Sequence, residues 1–572
     1  MNITLNGQTC WAKPGETILD VARREGMNIP TLCHLSQFSP TGSCRLCTVE
    51  VEDNGSLVPA CAFPVFEDMH VKTNSPRVRR ARKTLIELLI ANHPQDCLIC
   101  VRSGNCELQR LTQEYGVRTQ RYAGERRRAR IDIASPAIER NPEKCILCGR
   151  CVRICHEIQA VGAIDFTYRG FLSSVAPALD RSLNTVPCVE CGQCVVNCPV
   201  GALTEKSHQK MVWEAINNTD MYVVAQVAPA VRVALGEEFG TEPGTVVTGK
   251  VVSALRRIGC KRVFDTNFSA DLTIIEEATE LLSRIQNGGS IPMLTSCSPG
   301  WVKFVEHFYP DLLDKLSTCK SPHEMQGALL KSYYAQSFGI DPSKIFVVSV
   351  MPCTAKKYEA QRPELGSEFP DVDAVITTRE LARMIRIAGI DFHKLPNEGF
   401  DDPMGESTGA GAIFGAAGGV MEAAIRTAHY FITGSDMKSL SFSSIRGLEG
   451  VKQAEVKIGE HLLKVAAVNG LHNIIPLLDD IRKGKSPFHF IEVMACPGGC
   501  VNGGGQPQPS TPERLLKRTE SIYQIDRESP RRNSHRNESI RKLYDEFLGE
   551  PAGHKAHQLL HTHYVARDEY CR

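Results

Sequence analysis

FIEVMACPGGCVNGGGQP, residues 490–507, runs from an apolar stretch straight into two cysteines, Cys496 and Cys500, and a glycine-rich turn. A short apolar run bounded by Pro and Gly reads as a buried strand. Cysteines placed where such a strand stops fall at the strand end, where open α/β sheets bind ligands. Two other stretches share this design. SIPMLTSC ends at Cys297, and KIFVVSVMPC ends at Cys353. MYVVAQVAP, VDAVITT and KVAAVNG add further apolar runs, with helical patterns at 275–285 and 379–387. Residues 213–508 therefore predict an α/β domain of buried, largely parallel strands, with three strand ends meeting at one edge of the sheet.

Outward from that domain the chain changes character. It has 572 residues, which is several domains' worth, and a net charge of +1, which implies no nucleic-acid partner. It carries 23 cysteines, fifteen of them between Cys33 and Cys198. A disulfide scaffold is usually short and secreted. This chain is long, begins MNITLNG without a basic or apolar leader pattern, and has no apolar run of membrane-spanning length. Metal ligation in a reducing cytoplasm is the expectation, with no membrane span.

Residues 1–77 read as β-rich, with strands near 2–5 and 50–52 and a helix near 16–25. Cys33, Cys44, Cys47 and Cys61 follow C-x10-C-x2-C-x13-C, close to a [2Fe–2S] loop but with a longer first gap. Over 78–117, a short helix at 84–92 leads into His93, Cys97, Cys100 and Cys106. Three thiolates and one imidazole fit a [4Fe–4S] cluster of altered charge. Zinc is the alternative at both sites. The arginine-rich stretch 118–132 reads as a solvated linker, or else a docking patch for an acidic electron carrier.

Residues 136–208 hold an internal repeat. Cys145, Cys148, Cys151 and Cys155 form C-x2-C-x2-C-x3-C, and Cys188, Cys191, Cys194 and Cys198 repeat it before Pro199. This is the two-cluster ferredoxin pattern, in which the fourth cysteine of each block serves the other cluster. One [4Fe–4S] takes Cys145, Cys148, Cys151 and Cys198; the other takes Cys188, Cys191, Cys194 and Cys155. Clusters fully ligated by the protein offer no open position to a substrate, so the series reads as an electron wire. Residues 509–535 read as exposed connection, with helix after 538 in a tail spanning 509–572. Cys10, Cys260, Cys319 and Cys571 stand alone and read as structural or incidental.

TSCSPGW (295–301), MPCTAKKYE (351–359) and the opening stretch together resemble the three signature motifs of the [FeFe]-hydrogenases, and the preceding modules resemble its long, multi-cluster members. The resemblance covers essentially the whole chain. It implies a β-grasp [2Fe–2S] domain, a His/Cys-ligated cluster domain, a two-[4Fe–4S] ferredoxin domain and an α/β catalytic domain with a helical tail. The implied catalytic group is an H-cluster, a [4Fe–4S] cubane joined through a cysteine to a two-iron subsite carrying CO, cyanide and an azadithiolate. The implied reaction is 2H⁺ + 2e⁻ ⇌ H₂. By motif, Cys353, Cys496 and Cys500 hold the cubane, with Cys500 as the bridge. Lys356 pairs with a cyanide, Met351, Met494 and Phe414 wall the subsite, and protons travel through Glu277, Glu280 and Ser317. Glu277 and Glu280 share a helix face, with Arg284 four residues on.

The chain departs from the family pattern at Cys297–Ser298, where many members have two cysteines. Strict register makes Cys297 the last proton carrier and Ser298 the ligand. The preference of iron–sulfur cubanes for thiolate makes Cys297 the expected fourth ligand, with Ser298 as a hydroxyl relay or bystander. Ala230 stands where the family commonly has Ser, and His323 where it commonly has Gln. No dinucleotide fingerprint is present, because the Gly-rich stretch 405–419 follows no strand. The implied electron partner is ferredoxin or an NAD(P)-linked, flavin-binding subunit, and maturation proteins would supply the two-iron subsite. The alternatives are an electron-transfer subunit, since the N-terminal modules also resemble the large iron–sulfur subunit of respiratory complex I, and a hydrogen sensor.

Overall fold

The computed structural model describes residues 1–568 apart from 123, 367 and 438–442, and the backbone alone at 443 and 461. Cys571 lies outside the described residues. Near the N-terminus, five strands form one mixed sheet in the spatial order Gln8–Trp11, Asn2–Leu5, Met69–Lys72, Thr48–Val51, Ser56–Pro59. The helix Ile18–Arg24 buries Ile18, Leu19, Val21 and Ala22 against it, and a reciprocal Thr17–Asp20 capping box starts that helix.

The next helix, Pro76–Ala91, starts eight residues before the apolar pattern suggested. Ser75 caps it by accepting from the Val78 N–H, and Pro76 occupies the first turn. The arginine-rich stretch beyond is not wholly solvated. Arg127 is buried and donates to the carbonyls of Pro142 (2.7 Å) and Cys145 (3.1 Å).

In the cysteine repeat, Gly149 (φ 70°) and Gly192 (φ 68°) each precede a short helix, Arg150–Arg153 and Gln193–Asn197. The chain turns through the left-handed region directly after each C-x2-C, a conformation glycine adopts without strain.

The expected single sheet is two. One is fully parallel, in the order Arg262–Asp265, Tyr222–Val227, Ile345–Met351, Ala374–Thr377. The other runs Met293–Leu294, Phe490–Met494, His461–Asn469, Val451–Ile458, with the last pair an antiparallel hairpin. The cysteine-bearing strand ends thus come from different sheets: Cys353 follows the first, Cys297 and Cys496 the second. Beside them runs the 21-residue helix Thr266–Gln286, started by the Asp265 cap and buried along fourteen residues.

Residues 509–535 are not an exposed connection. Pro512–Glu528 is a helix that buries Arg518, Thr519, Ile522, Tyr523 and Asp526. Helical turns follow at Glu538–Leu543 and His554–Leu560. No helix among the described residues is long and apolar enough to cross a membrane.

Candidate active site and cluster sites

After Phe490–Met494, Gly498 (φ 79°) and Gly499 (φ 94°) reverse the chain, so that Cys496 and Cys500 face one cavity. A side chain on Gly499 would meet the Ala417 backbone nitrogen at 2.6 Å. After Ile345–Met351, Cys353 leads into the short helix Ala355–Glu359, which sets Lys356 and Glu359 on one face with Nζ and Oε2 2.6 Å apart. After Met293–Leu294, Thr295 locks the two loops of the second sheet. Its Oγ1 accepts from Val493 N (3.0 Å), and its carbonyl accepts from Trp301 Nε1 (2.9 Å). Ser298 then opens the helix Pro299–Phe308, its Oγ accepting from Ala495 N at 3.3 Å.

These loops close a cavity of about 80 Å³ lined by Ala230, Cys297, Ser298, His323, Met351, Cys353, Lys356, Phe414, Met494, Cys496 and Cys500. Every pocket residue expected from sequence is in this wall. Burial pushes all four thiols up, Cys500 to about 12, and neighbouring thiols add to the effect at Cys496. Four converging thiols beside the Lys356 ammonium form a donor set that fits a [4Fe–4S] cluster. Around the Cys297 thiol, Glu277 has the largest Coulombic influence, ahead of Glu492, Lys356 and Cys500. Lys356 also donates to the Cys297 carbonyl (3.2 Å).

Outward from Cys297 the helix Thr266–Gln286 supplies carboxylates. Glu277 is fully buried, with neither oxygen in a closed hydrogen bond. Burial, then Glu280 and Glu492, push its pKa up to about 8, while the Ser296 backbone and the Ser317 side chain pull the other way. Glu280 accepts from Ser317 Oγ (2.8 Å) and pairs with Arg284 (2.6 Å), which also donates to the Leu316 carbonyl at 2.7 Å. Glu277, Ser317, Glu280 and Arg284 thus step from the cavity side toward the rim of the domain. Of the lone cysteines, Cys319 sits beside this path, its Sγ 3.8 Å from Glu280.

The ferredoxin cysteines separate as the crossed pattern requires. One small cavity is lined by Cys145, Cys148, Cys151 and Cys198, and another by Cys155, Cys188, Cys191 and Cys194. Cys33, Cys44, Cys47 and Cys61 are buried, with Cys33 against Cys44 and Cys61, and Cys61 also against Cys47. Burial lowers the pKa of His93, which favours the neutral imidazole a metal needs. Cys97 is exposed, while Cys100 and Cys106 are half-buried.

Several functional contacts escaped the sequence reading. Cys191 lines both its ferredoxin cavity and the catalytic one. Gln193 donates to the Asn502 carbonyl (2.8 Å), and Thr354 to the Glu190 carbonyl (2.7 Å), which ties the two domains together. Glu492, a lone acid within FIEVM, accepts from Gly418 N and Met421 N, both at 2.7 Å. An acid inside an apolar strand was the available signal. For Glu359 it was the i, i+3 spacing from Lys356.

Five stretches match family profiles: "2Fe-2S iron-sulfur cluster binding domain" over 1–76, "NADH-ubiquinone oxidoreductase-G iron-sulfur binding region" over 82–121, "NADH-quinone oxidoreductase subunit 3, ferredoxin-like domain" over 135–204, "Iron only hydrogenase large subunit, C-terminal domain" over 221–504 and "Iron hydrogenase small subunit" over 512–567. A relative described as "NADP-reducing hydrogenase subunit HndD", from Solidesulfovibrio fructosivorans, is 50% identical over 581 residues, covering 99% of each chain. "Iron hydrogenase 1" of Clostridium pasteurianum is 42% identical over 571 residues, covering 98% of this chain and 99% of its own. A solved [FeFe]-hydrogenase structure from Chlamydomonas reinhardtii is 41% identical with a TM-score of 0.58, over 63% of this chain and 99% of that one. Likeness of this extent, with a cysteine-lined cavity at the strand ends, makes the chain a member of the iron-only, or [FeFe], hydrogenase family.

Proposed function

We propose that the chain interconverts protons, electrons and H₂ in the cavity at the strand ends, with an H-cluster held by Cys353, Cys496, Cys500 and a fourth ligand from the Cys297–Ser298 pair. The boundaries 1–77, 78–117, 136–208, 213–508 and 509–572 divide it into a β-grasp [2Fe–2S] domain, a His/Cys-ligated [4Fe–4S] domain, a two-[4Fe–4S] domain, the catalytic domain and the tail. The H-cluster, when bound, supplies the open iron position and the electron storage that the reaction requires. The protein's own residues do the rest. Cys500 would bridge to the two-iron subsite. Met351, Met494 and Phe414 exclude water, with Ala230 and His323 completing the wall. Lys356, held by Glu359, presents an ammonium to an anionic ligand. Protons pass among Glu277, Ser317 and Glu280, with Arg284 fixing the outer end and whichever of Cys297 and Ser298 does not ligate the cubane at the inner end.

The observation that carries this reading is Cys191, which lines the last wire site and the catalytic cavity at once. Electrons leaving a ferredoxin cluster at that cysteine enter the cavity with no intervening domain. The name of the Solidesulfovibrio relative and the NADH-dehydrogenase-like profiles support an NAD(P)-linked flavin subunit as the far partner, with ferredoxin as the other arm of the test. Protein matured with the two-iron subsite is expected to show CO and cyanide infrared bands and to turn over H₂ with methyl viologen. Activity with NAD(P)H should then require the flavin partner. Absence of both bands and turnover would remove the hydrogenase reading in favour of an electron-transfer subunit.

Two assignments divide at Cys297 and Ser298. Cubane chemistry favours Cys297 as the fourth ligand. Strict register with the family motif favours Cys297 as proton carrier and Ser298 as an oxygen ligand. Replacing each by Ala and following the cubane by electron paramagnetic resonance decides it: the signal is lost or altered in the variant that removes the ligand.

A further inference from the structure

Another wall of the cavity carries titratable groups that the proton relay does not use. His323 lines the cavity from the first turn of the helix Pro322–Leu329, and its imidazole is buried. Its Nε2 lies 2.5 Å from Glu359 Oε2 and 3.0 Å from Glu324 Oε1, and its Nδ1 lies 3.2 Å from Ser349 Oγ. The same Glu359 oxygen accepts from Lys356 Nζ at 2.6 Å, so one carboxylate joins the imidazole to the ammonium in the cavity wall. Glu324 is buried and, apart from this ring, lacks a partner for either oxygen. The elements packed around add no compensating charge: Gln226 donates its amide to the His323 carbonyl, and Lys320 is matched by Asp371 at 2.7 Å.

With a neutral imidazole, two buried carboxylates face one ammonium. With an imidazolium, two face two. An electron entering the cavity adds one more negative charge in a place water cannot screen. Glu359 also lines a second cavity of about 10 Å³, with Lys320, Ser321 and Tyr564, which has room for about one water molecule.

We propose that His323 holds a charge-compensating proton, taken up as an electron enters the catalytic cluster and released when that electron leaves. One electron arrives from the cluster at Cys191 and one proton from solvent arrives at His323 Nδ1, since Nε2 already donates its hydrogen to the carboxylates; the Ser349 hydroxyl turns from donor to acceptor, and no other bond forms or breaks. This proton is not consumed in making H₂; His323 is a positioning residue acting through Glu359 and Lys356. The inference rests on the cluster reading of the cavity. The neighbourhood supports it: burial and Lys356 oppose protonation of the imidazole, Glu324 and Glu359 favour it, and the balance lies above the ordinary pKa of 6.5.

The full chain, loaded with iron–sulfur clusters but not the two-iron subsite, tests this without H₂ turnover. The catalytic cubane is identified as the resonance signal missing from Cys496→Ala, and its midpoint potential is titrated from pH 6 to 9. In the unsubstituted protein the potential is expected to fall with rising pH, approaching 59 mV per unit, the value for one proton per electron. His323→Gln should flatten that dependence. Glu324→Gln should keep the slope and move its range to lower pH, because a carboxylate favouring the imidazolium is gone. An unchanged slope in His323→Gln, or a pH-independent potential in the unsubstituted protein, overturns the proposal while leaving the cluster reading intact. No signal attributable to Cys496 overturns the cluster reading and this proposal with it.

Discussion

Glu277 carries the clearest consequence of burial at a single residue. Its carboxyl holds a proton to about pH 8, whereas the unfolded chain releases it near 4.5. Its contribution to stability is therefore fully present below pH 4.5 and is lost as pH rises to about 8. Glu277→Gln removes that loss. The variant should gain a few kcal/mol relative to the parent at pH 9 and less at pH 6, read from thermal melts at both values. A pKa near the working pH also suits a group that passes protons in either direction. H₂ turnover in Glu277→Gln should fall roughly 100-fold or more, with the cubane resonance unchanged; a lost resonance would make the residue structural instead. At this scale the sequence was most legible where ligands are close neighbours, as in the C-x2-C blocks. It was least legible where a partner lies far along the chain. Nothing local links His323 to Glu359 or Glu277 to Glu492, and the roles of Cys297 and Ser298 turn on which way each side chain points.

Among the elements, the helix Thr266–Gln286 organises the catalytic domain. One turn faces two ways: Glu276 reaches Tyr544 and His561 in the tail, while Glu277 faces the cavity side. The helix Gly409–Ile413 packs against its start so closely that a methyl group on Gly411 would collide with the Asn267 carbonyl. Gly411→Ala should cost about 1–3 kcal/mol. It should also displace Phe414, three residues on, so the CO infrared bands shift as the melting temperature drops. Unshifted bands in a destabilised variant would separate this helix from the cavity wall. Three strands of the parallel sheet were legible because burial on both faces leaves continuous apolar runs, while the short edge strand Arg262–Asp265, which opens and closes on charged residues, was not. The hairpin strand Val451–Ile458 was not, since VKQAEVKI mixes exposed polar residues with buried ones. Nor was Pro512–Glu528, because its buried face includes Arg518, Thr519 and Asp526, and apolar periodicity does not register a polar interior.

For the molecule as a whole, that tail helix holds the cluster loop in place. Arg518 makes a two-pronged pair with Glu237 (2.6 and 2.8 Å) and donates to the carbonyls of Val501 (2.9 Å) and Pro507. Removing the guanidinium leaves Glu237 buried with less compensation, a loss of about 3–5 kcal/mol in comparable pairs. Arg518→Ala should therefore lower the melting temperature and the fraction of catalytic cubane formed, and Arg518→Lys should rescue neither, lacking the fork. Because the tail is tied by side chains, the chain should also tolerate a break at 510. Fragments 1–510 and 511–572, produced together, are expected to purify as one complex with an intact cubane signal; separate elution would refute this.

The ferredoxin and catalytic domains meet through two glycines. Gly192 and Gly504 lie so close that a Cβ on Gly504 would sit 2.8 Å from the Gly192 Cα and 2.7 Å from the Cys191 carbonyl. Electron tunnelling weakens steeply with every added ångström, so these missing side chains act as a spacer of minimum thickness. A methyl group at Gly504, pressed against the carbonyl of Cys191, would make the protein a slower conductor.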